Sequence, residues 1–94
     1  MSADALDRVL VPDSDVRFRE IHGEGVVIQM RNREVLVVND VGVRVLSLLD
    51  GRRTLGAVRD ILAQEFDAPP QTVEEDLETY AAELLAAGVV EERR

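Results

Sequence analysis

Apolar and polar residues alternate from Val16 to Ile21, run together from Val35 to Val38, and recur every three or four positions from Val41 onward. That change of period divides a strand-forming first part from a helical second part. In the first run Val16 and Phe18 share one face, with Arg17 and Arg19 on the other. His22-Gly23-Glu24-Gly25 reads as a turn, since glycine tolerates positive φ. Val26, Ile28 and Met30 are then expected to form the inward face of a second strand. Arg31-Asn32-Arg33 is a second tight connection, with Asn32 suited to the left-handed position. Glu34 to Val38 makes the third strand, and two short connections predict an antiparallel meander. The third strand does not alternate, because Val35, Leu36, Val37 and Val38 are all apolar. Such a run expects cover on both faces, from the domain's own elements or from a partner.

Three helices follow. Asn39 or Asp40 caps the first, whose stripe Val41, Val45, Leu48 and Leu49 has the spacing of one buried face, and Asp50-Gly51 ends it. Thr54 caps the second, with Leu55, Val58, Ile61, Leu62 and Phe66 facing inward. Pro69-Pro70 keeps it from running into the third. Thr72 with Glu75 reads as a capping box for the third helix, which Val73, Leu77, Tyr80 and Leu84 anchor and Gly88 terminates. Val89-Val90 is expected to fold back on the core. Ahead of all this, residues 1–15 read as a loosely ordered arm, although Val9, Leu10 and Val11 have the character to pack on the domain or on a second copy. Residues 16–92 form the predicted domain.

At 94 residues the chain accommodates one modest core, and with 3% aromatic residues that core must come from Val, Leu, Ile and Ala. No apolar run approaches a membrane span, and no secretory signal opens the sequence. The absence of cysteine excludes disulfides and thiolate chemistry and agrees with the cytoplasm as the expected compartment. A net charge of -8 disfavours a nucleic-acid partner and would steer a basic polypeptide toward the surface.

Catalytic chemistry finds no foothold. His22, the one histidine, has no second His or Cys with which to hold a metal, and it reads as a turn residue. Asp13-Ser14-Asp15 lacks the glycine and closing glutamate of a calcium loop. Ser2, Ser14 and Ser47 lack a nucleophile elbow, and Gly23 and Gly25 are not a phosphate loop in a chain without lysine. The expectation is a non-enzyme with no cofactor and no metal. On the third helix, Glu74, Glu75 and Glu78 read as a solvated face favoured by the helix dipole. Asp76 and Glu83 adjoin the buried stripe, where they are placed to meet basic groups of a guest.

Three segments carry a resemblance. They are Val35-Leu36-Val37-Val38-Asn39, Leu48-Leu49-Asp50-Gly51-Arg52-Arg53-Thr54, and Val73 to Val90 with its acidic start, Leu-Leu pair and Gly-Val-Val end. In this order and spacing, residues 16–90 resemble the PqqD-like peptide-recognition domains, or RiPP recognition elements. Val38-Asn39 stands where that family more often has Leu-Asn. The resemblance implies an α+β, winged-helix-like fold of three antiparallel strands followed by three helices. It also implies a non-catalytic role, presenting the leader of a ribosomally made precursor peptide to a modifying enzyme such as a radical SAM enzyme, a cyclase or a leader peptidase. By the resemblance, the leader adds as a strand along Arg33, Glu34, Val35, Leu36, Val37 and Val38, in a groove against the third helix. Either Val35 and Val37 or Leu36 and Val38 shape its pockets. Asp76, Tyr80, Glu83 and Ala87 would form the opposite wall, with Leu77 and Leu84 as shared core and groove floor.

Two other classes fit the same topology. A winged-helix DNA binder would need basic or amide side chains on its recognition helix, and the helix from Thr72 to Ala87 offers none. A structural or regulatory adaptor, monomer or homodimer, would have its groove filled by its own amino-terminal arm or by a twin subunit, with an apolar segment such as Val9-Leu10-Val11. The length and the start at Met1 favour a protein that stands alone.

Overall fold

The computed structural model describes residues 6–93. In chain order these form β1 (Val9–Pro12), β2 (Val16–Ile21), β3 (Glu24–Gln29), β4 (Glu34–Val38), α1 (Asp40–Leu48), α2 (Leu55–Glu65), α3 (Pro70–Ala86) and β5 (Val90–Arg93). β2, β3 and β4 make the expected antiparallel meander, and the three helices follow it. A second, two-stranded sheet joins β1 to β5, pairing Leu10 with Glu92 and Val11 with Glu91.

That second sheet corrects the reading of residues 1–15 as a loose arm. Residues 1–5 of that arm lie outside the described residues, but Val9–Pro12 is a strand, and Leu10 is completely buried. Gly51 N–H donates to the Leu10 carbonyl (3.0 Å) and Leu55 N–H to the Arg8 carbonyl (2.9 Å), so β1 stitches the α1–α2 junction to the carboxyl-terminal strand. Four residues carry too little period to announce a strand. What fixes it is burial: Leu10 belongs to the same buried apolar cluster as Leu49, Leu55, Val58, Val89 and Val90. Burying one such leucine contributes about 1.5–3 kcal/mol.

The sheet's facing also differs from the expectation. Gly25, Val27 and Gln29 point into the core, whereas Ile28 and Met30 are exposed and Val26 is half-buried. The turn decides this. His22 and Gly23 both take positive φ (53° and 81°), which makes a two-residue type I′ turn and sets Phe18 opposite Val27. Directly paired residues share a face, and a one-residue slip would turn every side chain over. Gly25 is required there, since a Cβ would stand 2.6 Å from Val43 Cγ2 and 2.7 Å from Val38 Cγ2. Gln29 is tolerated inside because its Nε2 donates to the Gly88 carbonyl at 3.0 Å, tying the end of α3 to the sheet. In the β3–β4 connection the left-handed residue is Arg33 (φ 57°), not Asn32, whose amide instead donates to Glu34 Oε1.

Asn39 caps α1 through its side chain on Gly42 N–H (2.9 Å), and Thr54 caps α2 on Ala57 N–H (3.1 Å). Gly51 (φ 80°) takes the left-handed stop after α1, as expected. α3 begins before the predicted capping box. Pro70 occupies its first turn, where a missing N–H costs nothing and φ is already helical, and no side chain caps it. Asp67 (φ 50°), rather than the prolines, turns the chain out of α2. Val41 and Phe66, expected in the core, are 44% and 48% exposed, and both open onto a cavity described below. Arg59 donates to Glu74 at 2.7 Å and ties α2 to α3, so Glu74 is not simply part of a solvated face.

Candidate functional site

β4 is an edge strand; among the described residues its only strand neighbour is β3. The type I′ turn closes on Ile21 and Glu24, and hydrogen-bonded and open pairs alternate from there. Gly25, Val27 and Gln29 therefore bond to Val38, Leu36 and Glu34. Val35 and Val37 turn their N–H and C=O groups to the free side. Their side chains lie on the outer face of the sheet and are 58% and 67% exposed. The cover expected on both faces of this strand is absent from that outer face among the described residues.

The other face of β4 packs on α1 and looks across to α3, with the start of the strand near the end of that helix and the end of the strand near Tyr80. Near the start of β4, Glu34 and Leu36 face Ala86 and Ala87 across a cleft of about 320 Å³, floored by Val27, Gln29 and Val89. At the end of β4, Val38 and the Tyr80 hydroxyl both press on Gly42; a Cβ on that glycine would lie 2.9 Å from Val38 Cβ and 2.7 Å from the hydroxyl oxygen. Beyond them a larger, mostly apolar cavity of about 450 Å³ opens between the helices. Val41, Val45, Leu62, Phe66, Val73 and Tyr80 line much of it. An open backbone edge thus lies between two hollows, one at each end.

The residues expected at a peptide groove fall into several groups. Leu36 and Val38, not Val35 and Val37, face α3, and Leu36 lines the smaller cleft with Glu34 and Ala87. Asp76, Leu77 and Tyr80 line the larger cavity. Arg33 sits in the preceding turn. Glu83 is exposed and lines neither hollow, and Leu84 (4% exposed) is core alone. Sequence reasoning missed Val27, Gln29, Asn32, Ala86 and Val89 in the smaller cleft. It read Val41 and Phe66 as core, and their helical spacing gave no sign of exposure.

Two buried polar atoms lack partners among the described residues, the Tyr80 hydroxyl and Gln29 Oε1, and they belong to the two hollows. An unmet buried polar group costs about 1–3 kcal/mol, which a ligand supplying the bond would recover. Burial, reinforced by the charge of Glu83, pushes the Tyr80 phenol above its ordinary range, so it remains a donor at neutral pH. Among the described residues no three His, Cys, Asp or Glu side chains converge as a metal site would require.

Fold and site together define a small winged-helix-like α+β domain whose edge strand is open beside a helix. The family model for coenzyme PQQ synthesis protein D (PqqD) matches residues 24–90, and the chain belongs to that family. It is 30% identical over 76 residues to the PqqA binding protein of Rhizobium meliloti (strain 1021), a match spanning 81% of this chain and 78% of that one. It is 36% identical over 70 residues to the bifunctional coenzyme PQQ synthesis protein C/D of Methylorubrum extorquens, covering 67% of this chain and 19% of that longer protein. Among solved structures, the PqqD truncation of Methylobacterium extorquens PqqCD, described as a functional and stand-alone RiPP recognition element, superimposes with a TM-score of 0.77. The identity is 29%, over 93% of this chain and 92% of that one. TbiB1 in complex with the TbiA(beta) leader peptide shares the fold at a TM-score of 0.80 and 23% identity, over 86% of this chain and 94% of that one.

Proposed function

We propose that this chain is a non-catalytic recognition module that binds the leader of a ribosomally made precursor peptide by strand addition to β4 and holds it for a modifying enzyme. One observation carries the reading. The edge amides and carbonyls of Val35 and Val37 have no strand partner among the described residues, and the strand lies between two hollows, each lined in part by α3, that suit alternate side chains of an extended guest. The relative named for PqqA binding and the solved RiPP recognition element support the same role. A radical SAM enzyme, a cyclase or a leader peptidase is the class of enzyme such a complex would serve.

Neither competing class gains support. The wall helix α3 carries no basic residue for a phosphate backbone. The apolar arm segment Val9–Pro12, which an auto-filled groove would require, pairs with β5 instead. The test is calorimetric titration with PqqA and with any short precursor peptide encoded near the gene, accompanied by amide NMR. Micromolar or tighter binding is expected, with shifts concentrated in residues 33–38 and 73–87. Shifts confined to the turn at residues 22–25 would reject the groove.

A further inference from the structure

The polar side chains lining the smaller cleft are Gln29, Asn32 and Glu34, and the two amide nitrogens donate within the protein, Asn32 to Glu34 and Gln29 to the Gly88 carbonyl. Glu34 brings a carboxylate that makes no ion pair among the described residues; its one hydrogen bond comes from Asn32. Ala86 and Ala87, the last residue and the C-cap of α3, line the cleft at the negative end of that helix. The terminal turn closes through Gly88 N–H on Leu85 and Val89 N–H on Leu84, leaving the Ala86 and Ala87 carbonyls without a backbone partner among the described residues. The final turn of α3 contains no Lys, Arg or His to offset the negative end of the helix dipole. Beneath these groups lies Gln29, 6% exposed. Its Nε2 is committed to the Gly88 carbonyl, so its buried Oε1, without a partner among the described residues, adds a fixed partial negative charge to the floor. The neighbouring cations do not relieve this. Arg31 is held by Asp13 and Asp15, and neither Arg31 nor Arg33 lines the cleft.

We infer that this cleft is a specificity pocket for one basic side chain, lysine or arginine, of the peptide bound along β4. The inference rests on the strand-addition reading. A guest residue opposite Leu36 and pointing toward α3 enters between Glu34 and Ala86–Ala87. Its aliphatic stem lies on Leu36 and Val89, and its cationic head meets the carboxylate and the helix-end carbonyls. The net charge of -8 attracts basic peptides in general, but only this pocket makes the preference specific to one position.

The experiment is a selection from a display library of random 15-residue peptides against the whole chain, repeated with Glu34→Gln, Glu34→Lys and Val37→Pro. Glu34 is exposed, so the charge variants should melt with the parent, which a thermal scan checks. Expected is enrichment of Lys or Arg at a single position of the aligned binders, flanked by apolar residues. Glu34→Gln should abolish that enrichment, and Glu34→Lys should replace it with Asp or Glu. In the best binder, Lys→norleucine should weaken affinity about tenfold on the parent and less than about threefold on Glu34→Gln. Binders that depend on Val37 yet show no basic position, or a basic position indifferent to residue 34, overturn the pocket and leave strand addition standing. Basic residues scattered over all positions also overturn it, since that is bulk attraction. Peptides that bind Val37→Pro as well as the parent overturn both.

Discussion

Replacing Val37 with proline separates the free edge of β4 from its paired edge. The Val37 amide faces outward by the alternation fixed at the His22–Gly23 turn, and its side chain is 67% exposed. Proline at such a position forfeits no ladder bond, and edge strands tolerate it where the missing N–H would face solvent. The folded state should therefore survive. A guest strand, however, loses the Val37 N–H as a donor. One hydrogen bond contributes about 0.5–1.5 kcal/mol, and a guest carbonyl left unmet beside the apolar wall of α3 costs about 1–3 kcal/mol more. A combined loss of about 2–3 kcal/mol corresponds to a Kd raised on the order of 30- to 150-fold. Leu36→Pro is the internal control. Its amide bonds to Val27 within the sheet, so this variant should lose stability in the absence of any peptide. The assay is fluorescence anisotropy with a labelled precursor leader, paired with thermal melts of both variants. A Val37→Pro protein that melts with the parent and binds within about twofold of it would refute strand addition at this edge.

Leu10→Ala should destabilise the domain by about 2–5 kcal/mol, because Leu10 is completely buried at the seam joining β1, α2 and β5; denaturant unfolding measures it. Tyr80→Phe removes a buried hydroxyl that has no partner among the described residues, so the melting temperature should hold or rise while peptide affinity falls. Equal affinity would show that the hydroxyl makes no bond to the guest. The Asp50 carboxyl lies below its ordinary range because the amides of Arg52 and Arg53 donate to it, and Arg44 lowers Glu65 in the same way. Both contributions are present above the ordinary carboxylate range and disappear as pH falls through the lowered values. Asp50→Asn should accordingly flatten the acid limb of a stability-against-pH curve, and an unchanged limb would contradict the assignment.

Strand and helix identities were legible because the two periods are strong and the turn chemistry is local. Gly51, Asn39 and Thr54 act where their side chains, or the lack of one, require. The facing of β3 was not legible from alternation, since Val26, Val27 and Ile28 are all apolar and either parity satisfies the pattern. The positive φ at His22 settled it, and that angle is set by how the hairpin closes. β1 escaped notice for a different reason. Its partner, β5, lies at the other end of the chain, and no local signal encodes a pairing of Val9 with Arg93. At the site, the edge strand and Tyr80 could be named from sequence. Gln29 could not, because a polar residue reads as outward until Gly88 is known to lie within reach. Val41 and Phe66 show the converse, as helical spacing marks an apolar stripe without saying where its cover stops.

Amide hydrogen exchange at successive residues of β4, with and without a bound leader peptide, reads out guest-strand pairing at this edge residue by residue. In the free protein the amides of Leu36 and Val38 should be protected by the sheet, and those of Val35 and Val37 should exchange fast. Peptide binding is predicted to slow Val35 and Val37 by about tenfold or more and to leave the ordering of Leu36 and Val38 unchanged. Saturating peptide that leaves Val35 and Val37 exchanging as before would rule out a guest strand on β4.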